Sequence, residues 1–156
     1  MLTKHVSDSE VIHHMTIVPA DLNHRNTIFG GKVLAVADQI AGTVARLHCG
    51  IECVTVAVDS VRFLAQAKQG ETLIVRASAN NVWGSSMEIG VKVFSMITYP
   101  KREKHILSAY FTFVAVNQED KPVEIPCKLS PMTPNEIRRF HQATERRKYR
   151  LSKKRR

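Results

Sequence analysis

Gly31-Lys32-Val33-Leu34-Ala35-Val36-Ala37-Asp38-Gln39-Ile40-Ala41-Gly42-Thr43-Val44-Ala45-Arg46-Leu47-His48-Cys49, closed by Gly50, is the stretch that decides the fold. Helix formers and small apolar residues dominate it, and Gly50 stands where a helix takes its left-handed cap. At about 100° per residue, Lys32, Gln39, Thr43 and Arg46 fall on one narrow polar stripe. Nearly all the rest is Ala, Val, Leu, Ile or Gly, and Asp38 is the exception. A helix apolar over most of its girth is expected to be enclosed, with a sheet wrapped around it.

On either side the pattern changes. Upstream, Val11 to Val18 is rich in β-branched residues, suits a strand, and stops at Pro19; a polar loop, Ala20 to Thr27, leads into the helix. Downstream, Val54, Val56 and Val58 alternate with Thr55, Ala57 and Asp59, leading into Val61 to Leu64. Gly70 opens a further strand over 72–80, and Trp83-Gly84-Ser85 reads as a hairpin turn before Ile89, Val91 and Val93. After a charged connection from Pro100 to Lys104, Ile106 to Val116 is nearly continuously apolar and ends at the turn-like Asn117-Gln118-Glu119-Asp120. Thr133-Pro134-Asn135-Glu136 is a capping box with Pro at the first helical position, which predicts a second helix from about Pro134 to Arg150 held along a thin apolar seam. The order predicts an α+β domain: an antiparallel sheet of about five strands wrapped around one long helix, the hotdog architecture, plus a C-terminal basic helix. Residues 1–132 form the expected domain and residues 133–156 a basic helix and tail.

Composition narrows the rest. With 156 residues, 44% of them hydrophobic, the chain can close one core but hardly two. No apolar run approaches the ~20 residues of a membrane helix, and Met1 to Glu10 holds no signal-like block, so a soluble, cytoplasmic protein is expected. Cys49, Cys53 and Cys127 are odd in number with no CxxC pair; this argues against a disulfide framework or zinc ribbon, and they read as reduced thiols. The net charge of +9 is a property of the tail: residues 1–132 carry 13 Lys and Arg against 12 Asp and Glu, residues 133–156 carry 10 against 2. A nearly neutral body argues against a phosphate-tracking surface for nucleic acid, and the run Lys153, Lys154, Arg155, Arg156 reads as a solvated end.

Several segments together resemble the acyl-CoA thioesterases of the hotdog fold, in particular the small bacterial acyl-CoA hydrolases and each half of the brain-type cytosolic acyl-CoA hydrolase. They are Pro19 to Asn23; Phe29-Gly30-Gly31 with Asp38; Arg46-Leu47-His48-Cys49; Val54 to Leu64; Ser85-Ser86-Met87-Glu88-Ile89; Ala109 to Val114; and Asn117 to Pro122. Their order and spacing carry the likeness. The resemblance implies hydrolysis of acyl-CoA to fatty acid and coenzyme A, a catalytic amide at Asn23 and a catalytic carboxylate at Asp38. It also implies dimers that assemble further, as a trimer of dimers. Thr27-Ile28-Phe29 stands where some relatives have Asn-Val-His, a departure in the lining of the site.

The residues support that chemistry independently. Asp38 lies near the middle of the apolar helix, roughly 80° or more from the polar stripe. A carboxylate buried there is costly and its pKa is expected to rise, so it suits a base acting on water or a nucleophile attacking a carbonyl. The alternative is a structural acid paired with Arg or backbone amides. Gly30 and Gly31 open the helix, where free amides and the positive end of the dipole suit the oxyanion formed from a thioester; the alternative for such a pair is a tight turn or a close packing point, and Asp38 on the same helix favours the oxyanion site. Eight helical residues separate Gly30 from Asp38 by about 12 Å, too far to serve one carbonyl carbon, so two protomers are expected to share each site. Asn23 can orient water or thioester, or make an ordinary Asx-turn.

Ser85 and Ser86, in a turn, are candidate contacts to the pantetheine or phosphates of coenzyme A, and Arg62 to the phosphates. His24 is a loop histidine beside Asn23, and His48 and Cys49, without a matching acid, read as packing residues. No metal or redox cofactor is implied. A different class, a non-catalytic acyl-CoA-binding hotdog regulator, fits less well with an Asn and Asp in place and no helix-turn-helix. A dehydratase would be expected to show a His and an acid.

Overall fold

The computed structural model describes residues 1–154. Five strands form one antiparallel sheet in the order β2 (Val11–Thr16), β4 (Thr72–Trp83), β5 (Ser86–Ile97), β6 (Arg102–Ala115) and β3 (Cys53–Phe63). The long helix α1 (Gly30–Cys49) packs on one face of it and α2 (Pro134–Lys154) lies over the other. A separate parallel pair joins β1 (Leu2–His5) to β7 (Cys127–Ser130). Neither strand was anticipated, because four residues give too few alternations to read and their pairing spans almost the whole chain.

Alternation puts Leu73, Val75, Ala77, Met87, Ile89, Val91, Val93, Leu107, Ala109, Phe111 and Phe113 in one core with Val33, Val36, Ala37, Ala41, Val44 and Ala45 of α1. The opposite residues of the same strands are polar, and here the second helix makes its strongest contacts. Glu88 is fully buried beneath it, accepting from Arg146 Nε at 3.1 Å and Nη2 at 2.7 Å, and from Asn80 Nδ2 at 2.9 Å. The Arg146 guanidinium also lies 3.6 Å from the centre of the Tyr110 ring, and Arg150 reaches Asp59 Oδ2 at 2.6 Å. The expected thin seam is therefore an ion-paired one, and the helix extends past Arg150 to Lys154. Arg155 and Arg156 lie outside the described residues.

On α1 the polar stripe of Lys32, Gln39, Thr43 and Arg46 faces outward as expected, and the open side is wider than that stripe. The sheet covers only one side of the helix: Ala35, Gln39, Arg46 and Leu47 are exposed, Leu34, Asp38, Ile40 and Thr43 half-buried. The uncovered side carries Ala35 and Leu47 beside the polar Gln39 and Arg46, and β3 is an edge strand of the sheet, with no further strand to pair with. At its C-terminus, α1 is closed by Gly50 at φ +73° and by Lys4, whose Nζ donates to the carbonyls of Leu47 and His48, each at 2.8 Å.

Candidate active site

The site begins with the loop that delivers α1. Buried Asp21 ties the loop down: its Oδ2 accepts from Val18 N–H at 3.0 Å, its Oδ1 lies 3.4 Å from Lys32 Nζ, and its carbonyl accepts from Phe29 N–H at 2.8 Å. Asn23 follows as an Asx-turn, with Oδ1 accepting from Arg25 N–H at 2.9 Å and Thr27 N–H at 3.3 Å. Its Nδ2 donates to Thr27 Oγ1 at 3.1 Å, which leaves one amide hydrogen without a partner among the described residues. The turn orients Asn23 as a donor as well as shaping the loop. His24 is exposed.

Gly30 and Gly31 are the first two residues of α1, with Phe29 as a cap that offers no side-chain hydrogen bond. Lys32 and Val33 N–H both turn back to the Phe29 carbonyl, and the Gly30 and Gly31 amides have no backbone acceptor among the described residues. A Cβ on Gly31 would stand 2.5 Å from the Phe29 ring, and one on Gly30 would stand 3.2 Å from the Phe63 ring. Glycine here lets two largely exposed aromatic rings close over the helix start.

Asp38 projects from the uncovered side of α1, half-buried, and forms no ion pair among the described residues. Its Oδ1 accepts from Thr55 Oγ1 at 2.7 Å. Thr55 reaches it because Thr55 pairs with the core residue Phe113 on the inner face of β3, and the β-bulge that follows, between Thr55 and Ala57, leaves the exposed Val56 unpaired. Nothing in the sequence singled out Thr55: a threonine in an alternating strand is ordinary, and only the fold shows which helical residue it meets. Gly30 and Asp38 remain separated along α1, as the helix length requires.

The structure does not bring the three coenzyme A candidates together within one protomer. Ser85 and Ser86 sit at the β4–β5 turn, with Ser86 opposite Val114 of β6, whereas exposed Arg62 is opposite Ser108. Six residues of strand, about 20 Å, lie between those positions. A cavity of about 260 Å³ opens on the other face of the sheet beneath α2, lined by Arg76, Lys92, Tyr110 and Arg138 among others, and includes none of the candidate residues. Among the described residues no three His, Cys, Asp or Glu side chains group as metal ligands, and no helix is long and apolar enough to cross a membrane.

His48 and Cys49 do not form a dyad. His48 is buried with neither ring nitrogen hydrogen-bonded among the described residues, and burial, then Lys4, lowers its pKa. Cys49 instead meets Cys53, at a Sγ–Sγ distance of 3.2 Å; all three cysteines are free thiols.

A family model described as the thioesterase superfamily matches residues 25–96. An uncharacterized acyl-CoA thioester hydrolase of Bacillus subtilis is 34% identical over 153 residues, covering 98% of this chain and 88% of its own. The chain belongs to the thioesterase superfamily. Within it, a hexameric acyl-CoA thioesterase superposes with a TM-score of 0.94 at 33% identity, covering 98% of this chain and 97% of that one. An acyl-CoA hydrolase of Staphylococcus aureus, solved with butyryl coenzyme A, coenzyme A and coenzyme A disulfide, gives 0.90 at 32%, covering 97% and 92%. That thioesterase has also been solved with an aspartate, an asparagine or a threonine replaced by alanine. The three replaced residues are separated along their chain by the same intervals as Asp38, Asn23 and Thr55 here.

Proposed function

We propose that this chain hydrolyses acyl-CoA to a free fatty acid and coenzyme A at sites shared between two protomers. One observation carries the reading: the Asp38 carboxylate, free of any ion pair among the described residues, is held by Thr55 on the side of α1 that the chain leaves uncovered. With Oδ1 accepting from Thr55, Oδ2 can take the proton of an attacking water or attack the carbonyl itself. The Gly30 and Gly31 amides of the partner then receive the oxyanion, and the partner's Asn23 positions the water or the thioester through its free amide hydrogen. Collapse of that intermediate releases coenzyme A as its thiol. Everything the reaction draws on is substrate, water and the chain's own groups.

The second protomer is argued from what is exposed. Val56 at 55%, Phe63 at 55%, Leu64 at 53% and Leu47 at 50% lie on β3, its exit or α1, and Phe29 at 58% caps α1, next to the unpaired edge strand. A long apolar edge in water is an aggregation hazard, and pairing with a second copy along β3 covers it and α1 together. Dimers of this kind build the further assembly, a trimer of dimers. Arg62 serves the phosphates of coenzyme A, and Ser85 and Ser86 the pantetheine. Three free thiols are in keeping with a cytoplasmic setting, where cysteines stay reduced.

The test is free thiol released from a panel of acyl-CoA esters by the wild type and by Asp38→Asn. The variant loses at least ~100-fold in kcat, the order supplied by a positioned acid-base group. An unchanged rate would rule the mechanism out.

A further inference from the structure

The mechanism leaves one pair of nucleophilic side chains unused. Cys49 ends α1, Cys53 begins β3, and the left-handed turn at Gly50 folds the chain back so that their sulfurs lie 3.2 Å apart. Both sulfurs also point at the Ile51 carbonyl, at 3.2 and 3.6 Å, so the arrangement is fixed by the local backbone. Cys49 is buried at 4% exposure, and Cys53 is half-buried and open to solvent. The third cysteine is engaged elsewhere, with Cys127 Sγ donating to the His48 carbonyl at 2.9 Å.

We propose that Cys49 and Cys53 form a thiol–disulfide exchange site that takes the disulfide of a small thiol and converts it to two thiols, leaving a Cys49–Cys53 disulfide. The pair shares a proton. The hydrogen bond from Cys53, then backbone hydrogen bonding at Ile51, holds Cys49 down to about 6 against the effect of burial, while the same Cys49–Cys53 bond and burial push Cys53 up. One thiolate between the two sulfurs is thus present at neutral pH. The charges around the pair are mixed, with Lys4 near Cys49 and Glu52 outweighing Arg46 at Cys53, so they select no particular charge on the incoming disulfide.

The thiolate rests on buried Cys49, and transfer of the Cys53 proton to it across the 3.2 Å contact moves the charge to the solvent-open Cys53. Cys53 attacks one sulfur of the incoming disulfide; that S–S bond breaks and one small thiolate leaves. Cys49 then passes its proton to the first small thiolate, making it a thiol, and attacks Cys53 Sγ, expelling the second small group as its thiolate. Two electrons pass from the cysteines to the small disulfide, and one protein disulfide replaces two thiols.

Closing the bond draws the sulfurs from 3.2 Å to about 2.05 Å. The movement enters at the first residue of β3, two residues from Thr55 and on the same face. Oxidation therefore displaces the donor that holds Asp38. This last step rests on the proposed hydrolase; the exchange chemistry does not.

The experiment incubates wild-type protein with excess glutathione disulfide, maps the cysteines by alkylation and mass spectrometry, and measures thioester hydrolysis before and after dithiothreitol. A Cys49–Cys53 linkage is expected, with turnover falling about tenfold and restored on reduction, since a displacement near 1 Å can cost ~100-fold. Cys127→Ser should behave as wild type. Cys49→Ser should retain glutathione on Cys53, because no second sulfur is there to expel it. Cys53→Ser should keep its turnover in glutathione disulfide. Thiols that stay unlinked, or a linkage that involves Cys127, would overturn the exchange site. A Cys49–Cys53 linkage with unchanged turnover would overturn the coupling to Thr55, and the mass readout stands even if acyl-CoA is not the substrate.

Discussion

Thr55 Oγ1 donates to Asp38 Oδ1 across 2.7 Å, from the inner face of the edge strand to the middle of α1. The bond joins the two elements that the single chain leaves uncovered, and it fixes one carboxylate oxygen while the other stays available.

Replacing Thr55 by valine keeps shape and volume and removes only the donor. Thr55→Val is expected to lower kcat by about 10-fold to 100-fold with little change in KM, because the carboxylate is mispositioned while substrate contacts persist. Thr55→Ser, which keeps the hydroxyl, should recover most of the rate. Steady-state kinetics of the two variants side by side provide the check, and a loss confined to KM would contradict a positioning role.

Arg146 is the principal partner of fully buried Glu88, the remaining bond coming from Asn80. Removing one member of such a pair leaves an uncompensated buried charge, so Arg146→Ala should cost about 3–5 kcal/mol, read from urea unfolding. Arg146→Ala combined with Glu88→Gln should cost less than Arg146→Ala alone, because no bare carboxylate remains. Equal losses would mean that packing over Tyr110, rather than the charge pair, holds α2 to the sheet.

His48 makes stability depend on pH. Burial, then the Lys4 ammonium, hold its pKa below 6.5, against the weaker opposing pull of the Cys127 contact and Asp8. The unfolded chain therefore binds a proton more readily than the folded one, and stability is lost as pH falls through 6.5 towards the lower folded value. Urea midpoints at about pH 7.5 and about pH 5.5 should show this loss in the wild type and a smaller one in His48→Leu, which cannot charge. The same slope in both proteins would assign the effect to other groups.

Much of the fold was legible because its signals are local. Period-two alternation marks β3 and β5, a nearly continuous apolar run marks β6, and Gly50 and the Thr133 capping box mark helix ends. The polar stripe of α1 was legible, but how far the open side extends beyond it was not: apolar composition shows that a surface needs covering, without showing whether the same chain or another covers it. At the site, Asp38 and the glycine pair stood out because a charge on an apolar helix and paired glycines at its start are both unusual. Thr55 was invisible because its role depends on a tertiary contact and a bulge. Cys49 and Cys53 were passed over because three intervening residues are not a CxxC spacing, yet a left-handed glycine turn between them brings the sulfurs together.

The sharing of each site between protomers is tested most directly by mixing two inactive proteins. Asp38→Asn and Asn23→Ala are each expected to be nearly inactive alone; unfolded together and refolded, half of the dimers pair unlike chains. If Asp38 works with the partner's Asn23, every mixed dimer holds one doubly damaged site and one intact site, and about a quarter of wild-type activity returns. If both residues act within one chain, both sites of the mixed dimer carry a lesion, and a mixture as inactive as its components would contradict the shared site.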